Sequence, residues 1–308
     1  MDLRKYVKSR AQIDSGIELI KNKLLFYQPF ILSDDIEVGE GMNFCDRYAG
    51  VESVFDLNAY AKGIDLGPRK QPPDLQWFRK CNDEYRQIYK YVCEQICTNV
   101  REDLSNLSFA EIGCNTGLNL FQLASRGAKT CYGFDWNDMS PVFAWLNDLL
   151  NTNVKFFRGS YCNLTHKFIG AAVPEVDVML NTVFLNHQCD PLQCLSFICD
   201  RAKKGVFLWV LIAHADSETD CSLRFGSDPN HQYLNTGRPF PLYFNNEVSI
   251  TEPLLRLSLR QLGFEDVRSI EKFVPSPKWD YFQSGFGMFF AHRTQQVKSA
   301  YAEPGSER

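Results

Sequence analysis

The stretch FAEIGCNTGLNLFQLASRGAKTCYGFDW, residues 109–136, decides the fold because two short apolar runs in it flank a segment with a helical pattern. Gly113 directly follows the first run, where the chain must turn sharply into the helix, and Gly117 lies about one helical turn later. Glu111 stands at the end of the first run and Asp135 at the end of the second. The spacing predicts a strand–turn–helix–strand unit with its ligand at the carboxyl ends of two parallel strands.

The glycine turn differs from a dinucleotide-binding loop, which would have a glycine in place of Asn115 and would present bare amides to a pyrophosphate. Glu111 would repel a phosphate but attract a cation, and Asp135 is placed to accept hydrogen bonds from both hydroxyls of a ribose. A cationic nucleoside fits these features, and S-adenosylmethionine carries a sulfonium, an ammonium and a ribose but no phosphate. A purely structural glycine turn, or a site for another nucleotide, is the alternative interpretation.

Apolar runs and helical patterns alternate from residue 107 onward, which predicts a doubly wound, mostly parallel α/β sheet. Several runs are continuously apolar, as in strands that are covered on both faces. Gly263 follows the last helical pattern, where a C-terminal cap belongs. The seven predicted strands lie in LSFAEIG, KTCYGFDW, NVKFFRG, VDVMLNTVF, GVFLWVLIA, EDVRSIEKF and GMFFAHR.

The segments EIGCNTG and GFDW resemble motifs I and II of the class I S-adenosylmethionine-dependent methyltransferases, and the order of elements over residues 107–293 is similar to theirs. The resemblance implies a Rossmann-like methyltransferase fold, S-adenosylmethionine as cofactor and methyl transfer as the reaction. It also implies that the glycine loop holds the methionine portion, through Glu111, Gly113, Cys114, Asn115 and Gly117.

The resemblance further implies a ribose contact at Asp135 and an adenine contact at Trp136, while Asn181 and Thr182 match the end of strand 4 near the sulfonium. After the third strand the family often has Gly-Asp-Ala, whereas this chain has Gly-Ser-Tyr at residues 159–161. The usual carboxylate that contacts adenine is therefore missing. Ser160 or Tyr161 must take its place.

The methyl acceptor is expected near VFLNHQCDP, which follows strand 4 and resembles a turn in the branch that includes the enzyme of tRNA wobble-uridine carboxymethyl transfer. The segment LLFYQPFILSDDIEVGEG is also similar to that branch. His187 is the first candidate for a general base, and a histidine that only orders the turn is the alternative. His214, at the end of strand 5, is the second candidate.

Two segments outside the strand–helix alternation are predicted to form the acceptor pocket. Residues 1–100 are expected to form a helical cap on the core of residues 101–293, with Tyr27 and Gln28 contacting a ligand. The insert 214–249 mixes aromatic and polar residues, which suits a lid over a small organic acceptor. A surface excursion packed on the sheet edge, and a Tyr27 that only packs in the core, are the alternatives. The substrate-contact candidates in the insert are Tyr233, Arg238 and Tyr243.

Composition narrows the classes of partner. The chain has 308 residues and a net charge of −4, with no basic excess to neutralise phosphates, so nucleic acid is a possible but not a favoured partner. No apolar run is long enough to span a membrane. The eleven cysteines contain no Cys-x-x-Cys pair and suit no common zinc site. Reduced thiols without a metal are therefore expected, and with them a cytoplasmic location. Residues 294–308 are expected to form a flexible tail.

Three functions follow from this sequence. The leading hypothesis is a methyltransferase that acts on an oxygen or nitrogen of a small molecule. The second is a tRNA-modifying enzyme that transfers a methyl or carboxymethyl group. The third is a cofactor-binding partner protein without catalysis.

Overall fold

A computed structural model describes residues 1–22, 24–25, 28–34, 36–39, 75–162, 165, 167–188, 190–227, 246–275 and 285–294. The chain is a mixed α/β protein with a large, mostly parallel sheet. It divides into two compact units: the first holds residues 1–159 and 273–281, and the second holds residues 160–272 and 282–308.

The first unit begins with two helices and a hairpin. Ser9 caps the first helix by accepting a hydrogen bond from the backbone N–H of Gln12. The elements are α1 (Arg10–Lys21), the antiparallel pair β1 (Phe30–Ser33) and β2 (Ile36–Val38), and α2 (Leu75–Asn99). In helix α2, Ile88, Val92 and Ile96 recur at helical spacing and are all buried.

The rest of the first unit is a parallel βαβαβ arrangement that contains residues 109–136. Its elements are β3 (Ser108–Ile112), α3 (Leu118–Ser125), β4 (Thr130–Asp135), α4 (Ser140–Leu150) and β5 (Lys155–Arg158). Strand β4 lies between β3 and β5 and is parallel to both. Phe109 and Phe134 are buried on the strands, and Phe121 packs against Phe143 across the two helices. The apolar runs therefore form the core of the unit, as the sequence predicts.

The second unit is built around β9 (Ala202–Ala213), whose twelve residues form its longest strand. Strand β8 (Val176–Thr182) pairs with β9 in parallel, and the chain crosses between them through a 3-10 turn (Leu185–His187) and α5 (Pro191–Arg201). Asp190 caps α5, and Pro191 supplies a first helical residue that needs no hydrogen bond. The antiparallel pair β6 (Ser160–Cys162) and β7 (Lys167–Ile169) precedes these elements.

Four strands and one helix complete the second unit. In chain order, the strands β10 (Leu223–Ser227) and β11 (Asn246–Thr251) come before the helix α6 (Glu252–Gln261), and the strands β12 (Asp266–Ile270) and β13 (Phe286–His292) come after it. Strand β11 is parallel to β9, and β13 is antiparallel to β9. Gly263 has a φ of 87° after α6, which confirms the predicted C-terminal cap.

All seven predicted strands are present, but the described part of the sheet also contains β10 and β11. Strand β10 lies in the insert 214–249 and β11 begins in it, and Val248 and Ile250 of β11 alternate with polar residues and are buried. These two strands extend the sheet, and the packing of the insert's aromatic residues on the sheet edge stays a prediction. Residues 228–245 lie outside the described residues, and the lid stays a prediction.

Eight cysteines are described, and all are free thiols. Five are buried, while Cys97 and Cys162 are half-buried and Cys221 is exposed. Within the described ranges, no group of three or more His, Cys, Asp or Glu residues is placed to hold a metal ion. Among the helices described, none is long and apolar enough to cross a membrane. The predicted tail falls outside the described residues, apart from Thr294.

Candidate functional site

The glycine turn between β3 and α3 has the left-handed backbone that its sequence implies. Gly113 has a φ of 73° and Gly117 a φ of 74°, a region that side chains rarely adopt. A Cβ atom at residue 117 would also lie 2.5 Å from Phe143 Cζ. Asn115, at the position where a dinucleotide loop has glycine, has a φ of 51°, and asparagine tolerates this region better than most residues. The turn is therefore closed by packing against α4.

Every backbone N–H from residue 113 to residue 118 donates to an acceptor within the first unit. Gly113 and Cys114 donate to the carbonyl of Phe134, at 2.8 and 3.1 Å. The other four donors are Asn115 to Asp135 Oδ2 at 2.9 Å, Thr116 to Asn115 Oδ1 at 2.8 Å, Gly117 to the carbonyl of Cys114 at 2.9 Å, and Leu118 to Gln28 Oε1 at 2.9 Å. A pyrophosphate loop works through amides that are left for the ligand. This turn has none to offer.

Gln28 completes the turn from the N-terminal segment. Its side-chain oxygen accepts hydrogen bonds from the hydroxyl of Thr116 and from the N–H of Leu118, the first residue of α3. Gly117 has no side chain to cap this helix, so Gln28 takes the place of a capping residue. Gln28 is 3% exposed. The side chain of Gln28 thus holds the glycine turn through these two bonds, and its predicted substrate contact stays a prediction.

Two carboxylates flank the turn. Glu111 Oε1 accepts a hydrogen bond from Asn119 Nδ2 at 2.9 Å, and both residues are fully buried. Asp135 accepts from the N–H groups of Asn115 and Asn137, each at 2.9 Å. Burial raises the pKa of the Asp135 carboxyl above its usual value, although these N–H groups favour the charged form.

The buried thiol of Cys114 lies in surroundings that carry negative charge. Burial raises its pKa well above the ordinary value, and the negative charges of Asp135 and Glu111 raise it further. Such surroundings disfavour a second anion and favour a cation. The electrostatics of the turn therefore suit an ammonium or a sulfonium group.

Trp136 follows Asp135 directly and is 49% exposed, one of the few large apolar side chains on the described surface. Its carbonyl accepts a hydrogen bond from Arg158 Nε at 3.2 Å. An exposed indole beside a carboxylate that ends a strand is suited to stack on a flat ring. The predicted adenine contact of Trp136 fits this position and stays a prediction.

The turn after β8 lies in the second unit and is built differently. Asn181 is fully buried, and its Oδ1 accepts from the N–H of Leu185 at 3.3 Å, while its Nδ2 has no hydrogen-bond partner among the described residues. Asn186 is 2% exposed, and neither its Nδ2 nor its Oδ1 bonds to any described residue. Each buried polar group that makes no hydrogen bond costs about 1–3 kcal/mol. Val183, between them, has a φ of 64°, which strains a β-branched residue.

The predicted site residues of the second unit, which include the two candidate bases, differ in how exposed their side chains are. His187 ends the 3-10 turn and His214 directly follows β9, and both side chains are exposed. Thr182, the last residue of β8, is half-buried. Ser160 begins β6 and is half-buried, whereas Tyr161 is 1% exposed and its ring lies 5.4 Å from that of Phe197. The Tyr161 ring thus packs in the core of this unit, and its adenine contact stays a prediction.

Four predicted substrate contacts cannot be placed. Tyr27, Tyr233, Arg238 and Tyr243 lie outside the described residues.

Sequence analysis missed four residues that the structure brings forward: Thr116, Asn119, Val183 and Asn186. Asn119 stands eight residues after Glu111 and is the second residue of α3, and a polar residue on the buried face of an apolar helix was a usable signal. The pairing of Gln28 with Thr116 had no local signal, because 88 residues separate the two.

The chain is similar in sequence to curated tRNA U34 carboxymethyltransferases. It is 24% identical to the Campylobacter concisus (strain 13826) protein over 249 residues, which cover 77% of this chain and 76% of that protein. It is 23% identical to the Campylobacter fetus subsp. fetus (strain 82-40) protein over 172 residues, which cover 53% and 56%. No protein-family model matches the chain.

The fold is similar to that of a solved structure, the N-terminal domain of EvdMO1 with S-adenosylhomocysteine bound. The TM-score is 0.53 at 10% sequence identity, and the match covers 94% of this chain and 98% of that domain. The resemblance predicted from EIGCNTG and GFDW is confirmed: the chain is similar to the class I methyltransferases, near the tRNA carboxymethyltransferase branch.

Proposed function

We propose that this chain, a relative of the class I methyltransferases near the tRNA U34 carboxymethyltransferases, transfers a methyl or carboxymethyl group from S-adenosylmethionine or its carboxylated form to a uridine of tRNA. One observation carries the cofactor assignment: the glycine turn has its six amides engaged and two carboxylates beside it. Such a turn suits a cationic nucleoside and not a nucleotide phosphate.

The residues of the first unit fit a sulfonium nucleoside. Asp135 would hold the ribose hydroxyls, because its oxygens keep lone pairs beyond those used by Asn115 and Asn137. Trp136 would stack on the adenine, and Glu111 would favour the ammonium end of the methionine portion. The cofactor, when bound, supplies an electrophilic carbon attached to a positively charged sulfur. The protein's contribution is to orient that carbon and to exclude water.

The acceptor assignment rests on the similarity to tRNA U34 carboxymethyltransferases over three quarters of the chain. The turn after β8 adds chemical support. The amide of Asn186 offers an acceptor and a donor side by side, and neither bonds to a described residue. The edge of a uracil ring presents the complementary donor and acceptor. The net charge of −4 does not oppose this proposal, because tRNA binding depends on the local electrostatic potential of the protein surface that contacts the tRNA.

His187 is proposed as the general base. It lies in the same 3-10 turn as Asn186, so an acceptor bonded by that amide would be close to the imidazole along the chain. If the accepting group on the uridine is a hydroxyl, it carries a proton that must leave as the carbon–oxygen bond forms. An exposed imidazole can take that proton and pass it to water. His214 is the second candidate.

A small-molecule acceptor is the second candidate function. It is favoured by the acidic composition and by the insert 214–249, whose aromatic and polar residues suit a lid over an organic ligand. A cofactor-binding partner without turnover is the third, and intact Gly113, Gly117 and Asp135 do not distinguish it from an enzyme.

The test is a transfer assay with two labelled donors, S-adenosylmethionine labelled in its methyl group and the carboxylated form labelled in the transferred group. Each donor is mixed with total tRNA or with a metabolite extract freed of nucleic acid. Label in a pyrimidine nucleoside after digestion of the tRNA supports the proposal, and the donor that labels it identifies the transferred group. Label only in the metabolite extract supports the small-molecule candidate. Donor binding without any transfer supports the partner protein.

A further inference from the structure

Helix α2 carries two cysteines one turn apart beside an arginine of α3. Cys93 is fully buried and Cys97 is half-buried. Arg126, the residue that ends α3, extends its Nη1 to within 3.6 Å of Cys97 Sγ. The arrangement therefore combines an accessible sulfur, a neighbouring thiol and a fixed cation, all within the first unit.

The neighbours of Cys97 favour its thiolate. A hydrogen bond from the Cys93 thiol lowers the pKa of Cys97 below its ordinary value, and the hydrogen bond and charge of Arg126 add to this effect in spite of partial burial. The same hydrogen bond raises the pKa of Cys93, which stays a thiol. Glu94 on α2 faces Cys93 and Arg126 and is the remaining charged group of this cluster. The protein thus holds one sulfur as a nucleophile and its neighbour as a donor.

We propose that Cys97 is a modification site that undergoes exchange with low-molecular-weight disulfides. The Cys97 thiolate attacks one sulfur of the disulfide RSSR, the bond between its two sulfurs breaks, and the products are the mixed disulfide of Cys97 with SR and one free thiolate RS⁻. No other oxidant is consumed, and a thiol reverses the reaction. The exchange reaction at Cys97 does not rest on the proposed transferase function, whereas its effect on cofactor binding does.

The product is a mixed disulfide and not a bond between Cys93 and Cys97. Residues four apart on a helix have Cβ atoms about 5–6 Å apart, whereas a disulfide requires about 3.5–4.5 Å between its Cβ atoms. Closing that bond would distort α2, whose residues Val92 and Ile96 are buried in the core. The adduct on Cys97 therefore persists until an external thiol removes it.

The modification has a route to the cofactor turn. Helix α2 packs against α3, and Gln122 of α3 donates to the carbonyl of Tyr89 of α2 at 3.5 Å. An adduct on Cys97 must displace Arg126 at one end of α3, and the glycine turn forms the other end. We expect modification of Cys97 to weaken binding of S-adenosylhomocysteine by several-fold.

The experiment measures the rate at which oxidised glutathione modifies each cysteine of the full-length protein between pH 5 and pH 9.5, by peptide mass spectrometry. The Cys97 rate should reach half its maximum at a lower pH in the folded protein than in the same protein unfolded in urea, where the midpoint should lie at about 8.5, as in an ordinary thiol. Exposed Cys221 is the internal reference. If accessibility alone governs the reaction, Cys221 is modified faster at every pH. Either that result or a Cys97 midpoint near 8.5 in the folded protein overturns the proposal.

Two variants isolate the cause. Arg126→Gln removes the cation and should raise the Cys97 midpoint, whereas Lys129→Gln removes an exposed cation three residues away and should leave it unchanged. Cys93→Ala removes the hydrogen-bond donor and should raise the midpoint even if Arg126→Gln fails to fold. Midpoints that are unaffected by both Arg126→Gln and Cys93→Ala would contradict the assigned geometry. A calorimetric titration with S-adenosylhomocysteine, before and after modification, tests the route to the turn, with Cys97→Ser as the control that cannot react.

Discussion

The glycine turn of the first unit and the turn after β8 of the second unit both follow buried parallel strands, yet they satisfy their polar groups in opposite ways. In the glycine turn, the backbone donors of residues 113–118 all bond to the protein itself. In the turn after β8, the amide of Asn186 bonds to no described residue, and Val183 holds a strained backbone. The first turn is complete before a ligand arrives, whereas the second is suited to be completed by one.

This difference indicates a division of labour that the sequence alone did not show. A finished turn with two carboxylates fixes one end of a charged cofactor without reorganisation. Buried amides without partners are costly in the free protein, so a ligand that supplies the missing bonds gains free energy and specificity. Four substitutions test the contrast, from the largest expected effect to the smallest.

Replacement of His187 by alanine should have the largest effect if the turn after β8 holds the acceptor. A general base contributes about 100- to 10,000-fold to turnover, so single-turnover transfer should fall by that factor while cofactor affinity stays nearly constant. The pH profile of the rate should also lose the limb that the base contributes. His214→Ala, which removes the second candidate base, is measured beside it and should keep its activity if His187 is the base. A stable His187→Ala protein with full activity would transfer the role to His214.

Replacement of Asp135 by alanine should weaken binding of the cofactor to the first unit. The substitution removes the acceptor of the ribose hydroxyls, and hydrogen bonds to a charged group contribute about 1.5–3 kcal/mol each. Calorimetry with S-adenosylhomocysteine should therefore show a loss of at least about tenfold in affinity. Asp138→Ala is the control, since that carboxylate is exposed and its hydrogen bonds are to Ser140. Equal affinities of the two variants would remove Asp135 from the site.

Replacement of Gln28 by alanine should destabilise the glycine turn. The variant leaves the hydroxyl of Thr116 and the N–H of Leu118 buried without their acceptor, at a cost of about 1–3 kcal/mol for each group. Urea unfolding should show this loss, and the affinity for S-adenosylhomocysteine should fall with it. Gln87→Ala, at an exposed position on α2, should change neither. If Gln28 instead contacts the acceptor, its variant should unfold like the wild type and lose only transfer.

Replacement of Val183 by glycine should have the smallest effect. The glycine variant should be more stable than the alanine variant, which is the reverse of the usual order. At an ordinary position glycine is less stable than alanine by about 0.5–1 kcal/mol, because it loses more backbone freedom on folding. At a φ of 64° the order should reverse, since glycine adopts this region without strain. Urea unfolding of Val183→Gly and Val183→Ala measures the difference directly. A less stable glycine variant would show that the turn stores no strain at this residue.

Much of the fold was predictable because its signals are local. Most of the seven predicted strands are short apolar runs, and Gly113, Gly117 and Gly263 mark turns that need a left-handed backbone. Strands β10 and β11 were missed because their polar residues alternate with apolar ones within a long segment rich in turn residues. The local sequence pattern was therefore enough to predict the glycine turn and the location of Asp135 at the end of β4.

The partners of the site were less predictable than its residues. The pairing of Gln28 with Thr116 and Leu118 depends on how two distant segments pack, which no periodicity encodes. The pKa of Cys97 is lowered by Cys93 and by Arg126, and Arg126 lies 29 residues away along the chain, so the sequence predicted only a reduced thiol at this position. Chemistry that a side chain acquires from a neighbour far along the chain appears only in the structure.

The bonds from Gln28 to the glycine turn also constrain the order in which the protein matures. During synthesis the N-terminal segment emerges first but cannot complete its contact until residue 118 has been made and β3 and β4 have paired. This contact spans 90 residues, so it belongs to the slow, high-contact-order part of folding. A chain that starts near residue 101 can form the strands but lacks the acceptor that caps α3. We therefore expect such a chain to regain cofactor binding only when a peptide of the N-terminal segment is added to it.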